Sequence, residues 1–161
     1  MSSKFERSGV VYHAIVKKKV RALFDAVSRG DAGPVISSFS TRFEHTFLGE
    51  GHAMAGTRTS RDKVAAWYGR LYRLLPDIRF DVSDIAVSGP PWNTIAVVTW
   101  RETNSGSDGV PTSASGYNVA FISWGRMTRL LICPDVNVLK ATLDRLFEKG
   151  NNEAHAEPIV G

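Results

Sequence analysis

The chain has 161 residues, 43% hydrophobic and 22% charged, with a formal net charge of +4, a size and balance that suit one globular domain with its own core. No apolar run approaches the roughly 20 residues that cross a bilayer, and residues 1–7 show neither an apolar segment nor a cleavage site. The single cysteine, Cys133, excludes an internal disulfide and fits a reducing cytoplasm, the expected location.

Residues 1–10 read as an N-terminal extension. From about Val11 to Arg29 the spacing predicts a helix, with Val16, Val20, Leu23, Phe24 and Val27 on one apolar stripe. Its basic run, Lys17-Lys18-Lys19-Val20-Arg21, reads either as a phosphate-binding patch or as a solvated helix face. No aromatic residues interleave with the lysines to stack on bases, so no nucleic-acid partner is expected. Gly30 closes the helix as a left-handed cap. Pro34 fits the first turn of a short second helix that buries Val35, Ile36 and Phe39.

A strand follows, Phe43-Glu44-His45-Thr46-Phe47, with Phe43, His45 and Phe47 on one face by the two-residue period. Residues 49–56 read as a flexible connection. Thr59 and Asp62 have capping-box spacing and open a third helix with Val64, Trp67, Tyr68, Leu71 and Leu75, ended by Pro76-Asp77. After Pro76 the period becomes alternating. Strands are predicted around Ile78–Val82, over Thr94–Thr103, over Tyr117–Trp124 and over Met127–Cys133, separated by Gly- and Pro-bearing turns. Cys133 lies in an apolar strand and reads as a packed, inert thiol. Val136–Lys149 is a closing helix, and residues 150–161 read as a flexible tail beyond a single domain of residues 11–149.

Helices first, one strand, a helix and then a run of strands imply an α+β fold, with three N-terminal helices packed in the hollow of a strongly bent antiparallel sheet. Such a cone has an apolar floor and a mouth suited to a ligand. No nucleotide fingerprint or metal-ligand spacing stands out, so neither cofactor nor metal is expected.

On several features together, the chain resembles the nuclear transport factor 2-like (cystatin-type) superfamily, and within it the SnoaL-like polyketide cyclases and ketosteroid isomerases. These are helix–Arg29-Gly30-Asp31–helix, the strand Phe43 to Gly49, Gly56 before the Trp67-Tyr68 helix, Pro76-Asp77, and Gly116, Gly125-Arg126-Met127, Asp135, Leu139 and Leu143 in order. The resemblance spans about residues 10–148. It implies a conical α+β barrel, a homodimer through the open sheet face, and positions for polar groups. His45 falls where ketosteroid isomerases carry their aspartate base, Tyr117 near their oxyanion-stabilising acid, and Leu23 where they have a tyrosine. Asp135 falls where polyketide cyclases carry an acid/base aspartate. Trp100-Arg101-Glu102 offers part of the aspartate–arginine–aspartate relay of related epoxide hydrolases, although adjacent strand residues face opposite ways.

Enolisation or cyclisation needs a base beside a carbonyl and a donor for the developing oxyanion. The catalytic candidates are therefore His45, Asp135 and Tyr117, with Asp135 also readable as the N-cap of the last helix. Phe47, Trp67, Tyr68, Trp100, Glu102 and Phe121 are the candidate substrate-binding residues. Thr94, Ala96, Val98, Trp100 and Glu102 are assigned inward, with Arg101 outward in an ion pair; Tyr117, Val119 and Phe121 are likewise assigned inward. Two functions follow. One is a small cofactor-independent enzyme, an isomerase, cyclase or epoxide hydrolase acting on an apolar polyketide-, steroid- or epoxide-like molecule. The other is a non-catalytic binding or dimeric association module of the same fold. The expected partners are an apolar small molecule and a second copy of the chain, with no membrane partner.

Overall fold

A computed structural model describes residues 2–161, apart from the side chains of Ser2, Ser3 and Phe5. Helices α1 (Ser2–Ser28) and α2 (Gly33–Ser38) lead into strand β1 (Phe39–Phe47). A short strand β2 (Gly56–Arg58) and helix α3 (Arg61–Leu74) follow. Four long strands then run in succession: β3 (Arg79–Ser88), β4 (Thr94–Asn104), β5 (Thr112–Ser123) and β6 (Arg126–Pro134). Helix α4 (Val136–Glu148) and a 3₁₀ turn (Asn152–His155) close the chain.

The six strands form one sheet in the order β2-β1-β6-β5-β4-β3. The sheet is mixed rather than antiparallel throughout, because β1 pairs with β6 in parallel, His45 opposite Leu130. The hairpins from β3 to β6 are antiparallel, as their alternation and short turns require. β1 arrives from the helical side and lies between β2 and β6, joined to β6 without a hairpin, a pairing that no local pattern encodes. The helices bury Val16, Val20 and Val27 of α1 and Val64, Trp67, Tyr68, Leu71 and Leu74 of α3 against the inner sheet face. Each such side chain contributes about 1.5–3 kcal/mol of transfer free energy.

Helix α1 begins at Ser2, so residues 2–10 belong to it and are not a separate extension. Helix α3 is capped by Ser60, whose side chain accepts from Lys63 N, one position on from the expected Thr59. The last dozen residues are packed. Ala154 is fully buried, Arg73 makes a two-pronged ion pair with Glu153 at 2.7 and 2.9 Å, and Gly161 exchanges backbone bonds with Thr57 and Thr59 at the β2 edge. Main-chain groups do most of this anchoring, so the polar side chains of the segment carry no sign of it.

On β4, Thr94, Ala96, Val98, Trp100, Glu102 and Asn104 are buried and the residues between them are more exposed. On β5 the inward set is Asn118 and Ala120, and Tyr117 is 48% exposed. The β5 side chains therefore face opposite to the expected sense. The register supplies the reason: Gly116 lies opposite Trp100, and a Cβ at Gly116 would come within 2.6 Å of the indole. Only glycine fits under that ring, so β5 turns its small residues inward and its large ones outward.

Candidate active site

Helices α1, α3 and α4 and the inner sheet face enclose a cavity of about 100 Å³. Its floor is apolar and includes Val20, Phe47, Met54, Leu71, Val98 and Leu130. The polar groups gather toward one end, where β4 finishes, β5 begins and α4 starts: Glu102, Asn104, Asn118, Asp135 and Thr142.

Glu102 is 8% exposed. Asn104 Nδ2 donates to both its carboxylate oxygens, at 3.2 and 2.9 Å, and Asn104 Oδ1 accepts from Gly106 N at 2.9 Å. No cation pairs with Glu102 among the described residues. Burial is the largest cause that pushes its pKa above the usual carboxylate value; the Asn104 bonds oppose this and the Asp77 charge adds to it. Two loop contacts hold the Asn104 turn. Ser105 N donates to Asp77, and Asp108 takes Arg145 and Lys149, which hold its carboxyl well below the usual range.

Asn118 accepts from Trp100 Nε1 at 3.0 Å through Oδ1. The indole can only donate, so it fixes the amide's orientation and leaves Nδ2 as a donor at the cavity wall. Asp135 is the N-cap of α4, and both its cap bonds, from Asn137 N at 3.1 Å and Val138 N at 3.3 Å, go to Oδ1. Neither cap bond uses Oδ2, so the cap leaves one carboxylate oxygen unspent beside the cavity. Tyr68 lines the cavity, and burial raises its hydroxyl pKa.

Of the expected binding residues, Phe47, Trp67, Tyr68, Trp100 and Glu102 line the cavity. Phe121 does not: it lies on the outer sheet face beneath Arg129, whose Cζ is 5.6 Å from the ring centroid. Tyr117 is on that same outer face, so it offers no donor to the cavity.

His45 is fully buried but lies outside the cavity wall, with Trp67, Tyr68 and Phe39 edge-on around it. Arg58 Nε donates to His45 Nδ1 at 2.9 Å. The lone pair that a base would use is therefore already spent, and the neutral ring carries its proton on Nε2, which has no partner among the described residues. Burial, reinforced by the Arg58 charge, lowers the His45 pKa to about 3. Arg58 is itself fully buried and donates to the carbonyls of Ala55, Gly56 and Ile159. The pair is a structural bolt between β1, β2 and the C-terminal segment.

Sequence reasoning missed Asn104, Asn118 and Thr142. A buried-side phase for β5, read from Gly116 opposite Trp100, is the signal that finds Asn118. No group of three or more His, Cys, Asp or Glu side chains able to hold a metal occurs among the described residues.

The sequence matches the family model described as a SnoaL-like domain over residues 20–130. Among solved structures, it is similar to a candidate SnoaL-like polyketide cyclase from Jannaschia sp. CCS1 at 15% identity and TM-score 0.61, covering 88% of this chain and 92% of that one. It is similar to an NTF2-like protein of unknown function from Burkholderia pseudomallei at 19% identity and TM-score 0.66, covering 78% and 95%. A third likeness, at 11% identity and TM-score 0.61 over 71% and 82%, is to a Catenulispora acidiphila protein with a ketosteroid isomerase-like fold, solved with trimethylamine. Identities this low carry the fold alone. No functionally curated protein matches the sequence.

Proposed function

We propose, from the premise that this chain belongs to the SnoaL-like domain family of the NTF2-like superfamily, that its cavity performs acid/base chemistry on an apolar carbonyl compound without a cofactor. The observation that carries this reading is Glu102, a carboxyl group buried in an apolar hollow and oriented by Asn104, with no cation paired to it among the described residues.

Such a carboxylate is a stronger base than one in water, since leaving it charged is what burial disfavours. Glu102 removes a proton from the carbon next to the carbonyl. The Asn118 amide donates to the oxygen as it gains charge. In an isomerisation, Glu102 returns the proton to another carbon. In an aldol-type ring closure, the enolate carbon attacks a second carbonyl and the proton ends on the new hydroxyl. Nothing is oxidised and no group is lost until water leaves in a later step. Asp135 Oδ2, unspent beside the cavity, is placed to exchange protons with solvent or to accept from a substrate hydroxyl.

The volume bears on the substrate. About 100 Å³ is the order of a cavity that takes one aromatic ring, roughly 150 Å³ for benzene, so a one-ring or short 1,3-dicarbonyl compound suits it better than a four-ring steroid.

The test is deuterium exchange at the carbon next to the carbonyl, followed by NMR across a panel of cyclic enones, 1,3-diketones and a steroid enone. Wild type is expected to exchange a one-ring compound, with a rate that rises with pH through a midpoint above the ordinary carboxylate range. Glu102→Gln is expected to lose roughly a hundredfold or more with an unchanged circular dichroism spectrum. Exchange in Glu102→Gln at the wild-type rate removes Glu102 from the chemistry. Tight binding of a panel compound with no exchange supports the non-catalytic binding module instead.

A further inference from the structure

Helix α1 and the β3–β4 turn on which its first half packs carry a feature that the chemistry above does not use. Helix α1 holds six basic side chains (Lys4, Arg7, Lys17, Lys18, Lys19 and Arg21) against two acidic ones (Glu6 and Asp25). That balance of +4 equals the net charge of the whole sequence, so the rest of the chain is neutral. Lys17, Lys18, Lys19 and Arg21 are exposed, and so are the apolar Val10, Val11 and Ile15, at 69%, 59% and 49%.

Two contacts tie this part of α1 to the β3–β4 turn. The Tyr12 hydroxyl bonds to Thr94 Oγ1, and His13 Nε2 bonds to Gly89 O at 2.8 Å. The turn presents Trp92, 60% exposed. Trp124 N donates to Pro91 O at 2.7 Å, which sets a second indole, 71% exposed, beside the first with ring centroids 5.9 Å apart. Trp124 is the only non-glycine among the described residues at positive φ, 50°. The turn holds that indole outward in a backbone conformation that a bulky residue rarely adopts.

We propose that this face of the molecule docks on an anionic lipid bilayer surface. Trp92, Trp124, Val10, Val11 and Ile15 enter the boundary between headgroups and acyl chains, and the lysines meet the anionic headgroups. Charge complementarity and shape select this occupant. A second copy of the chain brings one basic helix against another across a two-fold axis. A nucleic acid leaves three aliphatic side chains against phosphates. A protein partner needs a groove for each protruding indole, whereas a bilayer accepts side chains singly and at any spacing. The expectation of no membrane partner rested on the lack of a spanning segment, and no helix is long and apolar enough to cross a membrane; lying on a surface has no such requirement.

Strand direction separates the two indoles from the cavity mouth. Trp92 precedes β4 and Trp124 follows β5, whereas Asn104 ends β4 and Ala114 lies near the start of β5. Docking through the indoles therefore leaves the mouth away from the lipid, and the inference stands apart from the chemistry proposed above.

Co-sedimentation with phosphatidylcholine vesicles, with and without one-third phosphatidylglycerol, tests it, with tryptophan fluorescence as a second readout. The full chain is expected to sediment only with the anionic vesicles, to release as salt rises, and to shift its emission to the blue. Replacing Lys17, Lys18 and Lys19 by Gln is expected to weaken partitioning roughly a hundredfold, from about 1 kcal/mol per lysine. Trp92→Ala with Trp124→Ala is expected to abolish the blue shift with the circular dichroism unchanged. Equal binding to neutral vesicles, no binding to anionic ones, or retention on a single-stranded RNA oligonucleotide without vesicle binding overturns the proposal.

Discussion

His45 and Glu102 are both buried ionisable side chains on inward positions of strands, yet they do different things. His45 has spent its accepting nitrogen on Arg58 and is sealed behind Trp67 and Tyr68. Glu102 faces a hollow, is oriented by a neutral amide and keeps lone pairs to spare. Burial alone thus does not mark a working group; what counts is unspent hydrogen-bonding capacity directed at a space a ligand can enter. The contrast also extends to charge. The His45 cluster holds a buried cation satisfied by three carbonyls and an imidazole, and the Glu102 cluster holds a potential anion with no counter-charge among the described residues.

The strongest break of this comparison is Arg58→Met. It leaves His45 Nδ1 and the carbonyls of Ala55, Gly56 and Ile159 without their donor, and is expected to cost roughly 3–5 kcal/mol in urea unfolding. The surviving folded fraction should still exchange substrate protons. A stability loss below about 1 kcal/mol would show that the bolt between β1, β2 and the C-terminal segment is not structural.

Next in size is the pH response of the same cluster. His45 titrates near 6.5 when unfolded and at about 3 when folded. Below about pH 6.5 the unfolded chain binds a proton that the folded one refuses, so stability is full above that pH and falls as pH drops. The slope is about 1.4 kcal/mol per pH unit, or about 3 kcal/mol by pH 4. His52, whose pKa burial also lowers, acts in the same direction. His45→Gln keeps an acceptor for Arg58 and has nothing to protonate. Its unfolding free energy should therefore vary less steeply with pH than wild type over this window. Parallel pH profiles would contradict the burial assigned to the ring.

Gly116→Ala addresses the other cluster. The new methyl meets Trp100 at 2.6 Å and the Cys133 carbonyl at 2.7 Å, and overpacking of this kind costs about 1–3 kcal/mol. Because Trp100 orients Asn118, the same change is expected to lower exchange activity per folded molecule. Thermal unfolding together with the NMR exchange assay separates the two effects.

The legible and illegible parts of the sequence divide along physical lines. The inward face of β4 was readable because Trp100 and its apolar neighbours recur at the strand period. β5 misled because Tyr117 and Phe121 look like core residues, and Gly116, Asn118 and Ala120 do not. The cavity itself reverses that pattern, since space beneath a large ring must be lined by small side chains. The element order and the apolar stripes of α1 and α3 were open to view. The parallel β1–β6 pairing and the packed C-terminal segment were not, because main-chain hydrogen bonds join residues far apart and leave no periodic trace. The partner of His45 was hidden for a related reason: Arg58 follows a stretch whose glycines read as a loose connection.

The smallest expected effect sharpens the division between the two sheet faces. Tyr117 faces outward and is 48% exposed, so Tyr117→Phe should change stability by no more than about 0.5 kcal/mol and leave the exchange rate and its pH profile at wild-type values. The same hydroxyl deletion at Tyr68, whose residue lines the cavity, is the comparison variant on the inner side. A tenfold loss in Tyr117→Phe with none in Tyr68→Phe would mean that β5 turns over when substrate binds. The steric demand of Trp100 above Gly116 forbids such a turn, because reversing the strand would place a tyrosine or serine side chain where the indole now lies.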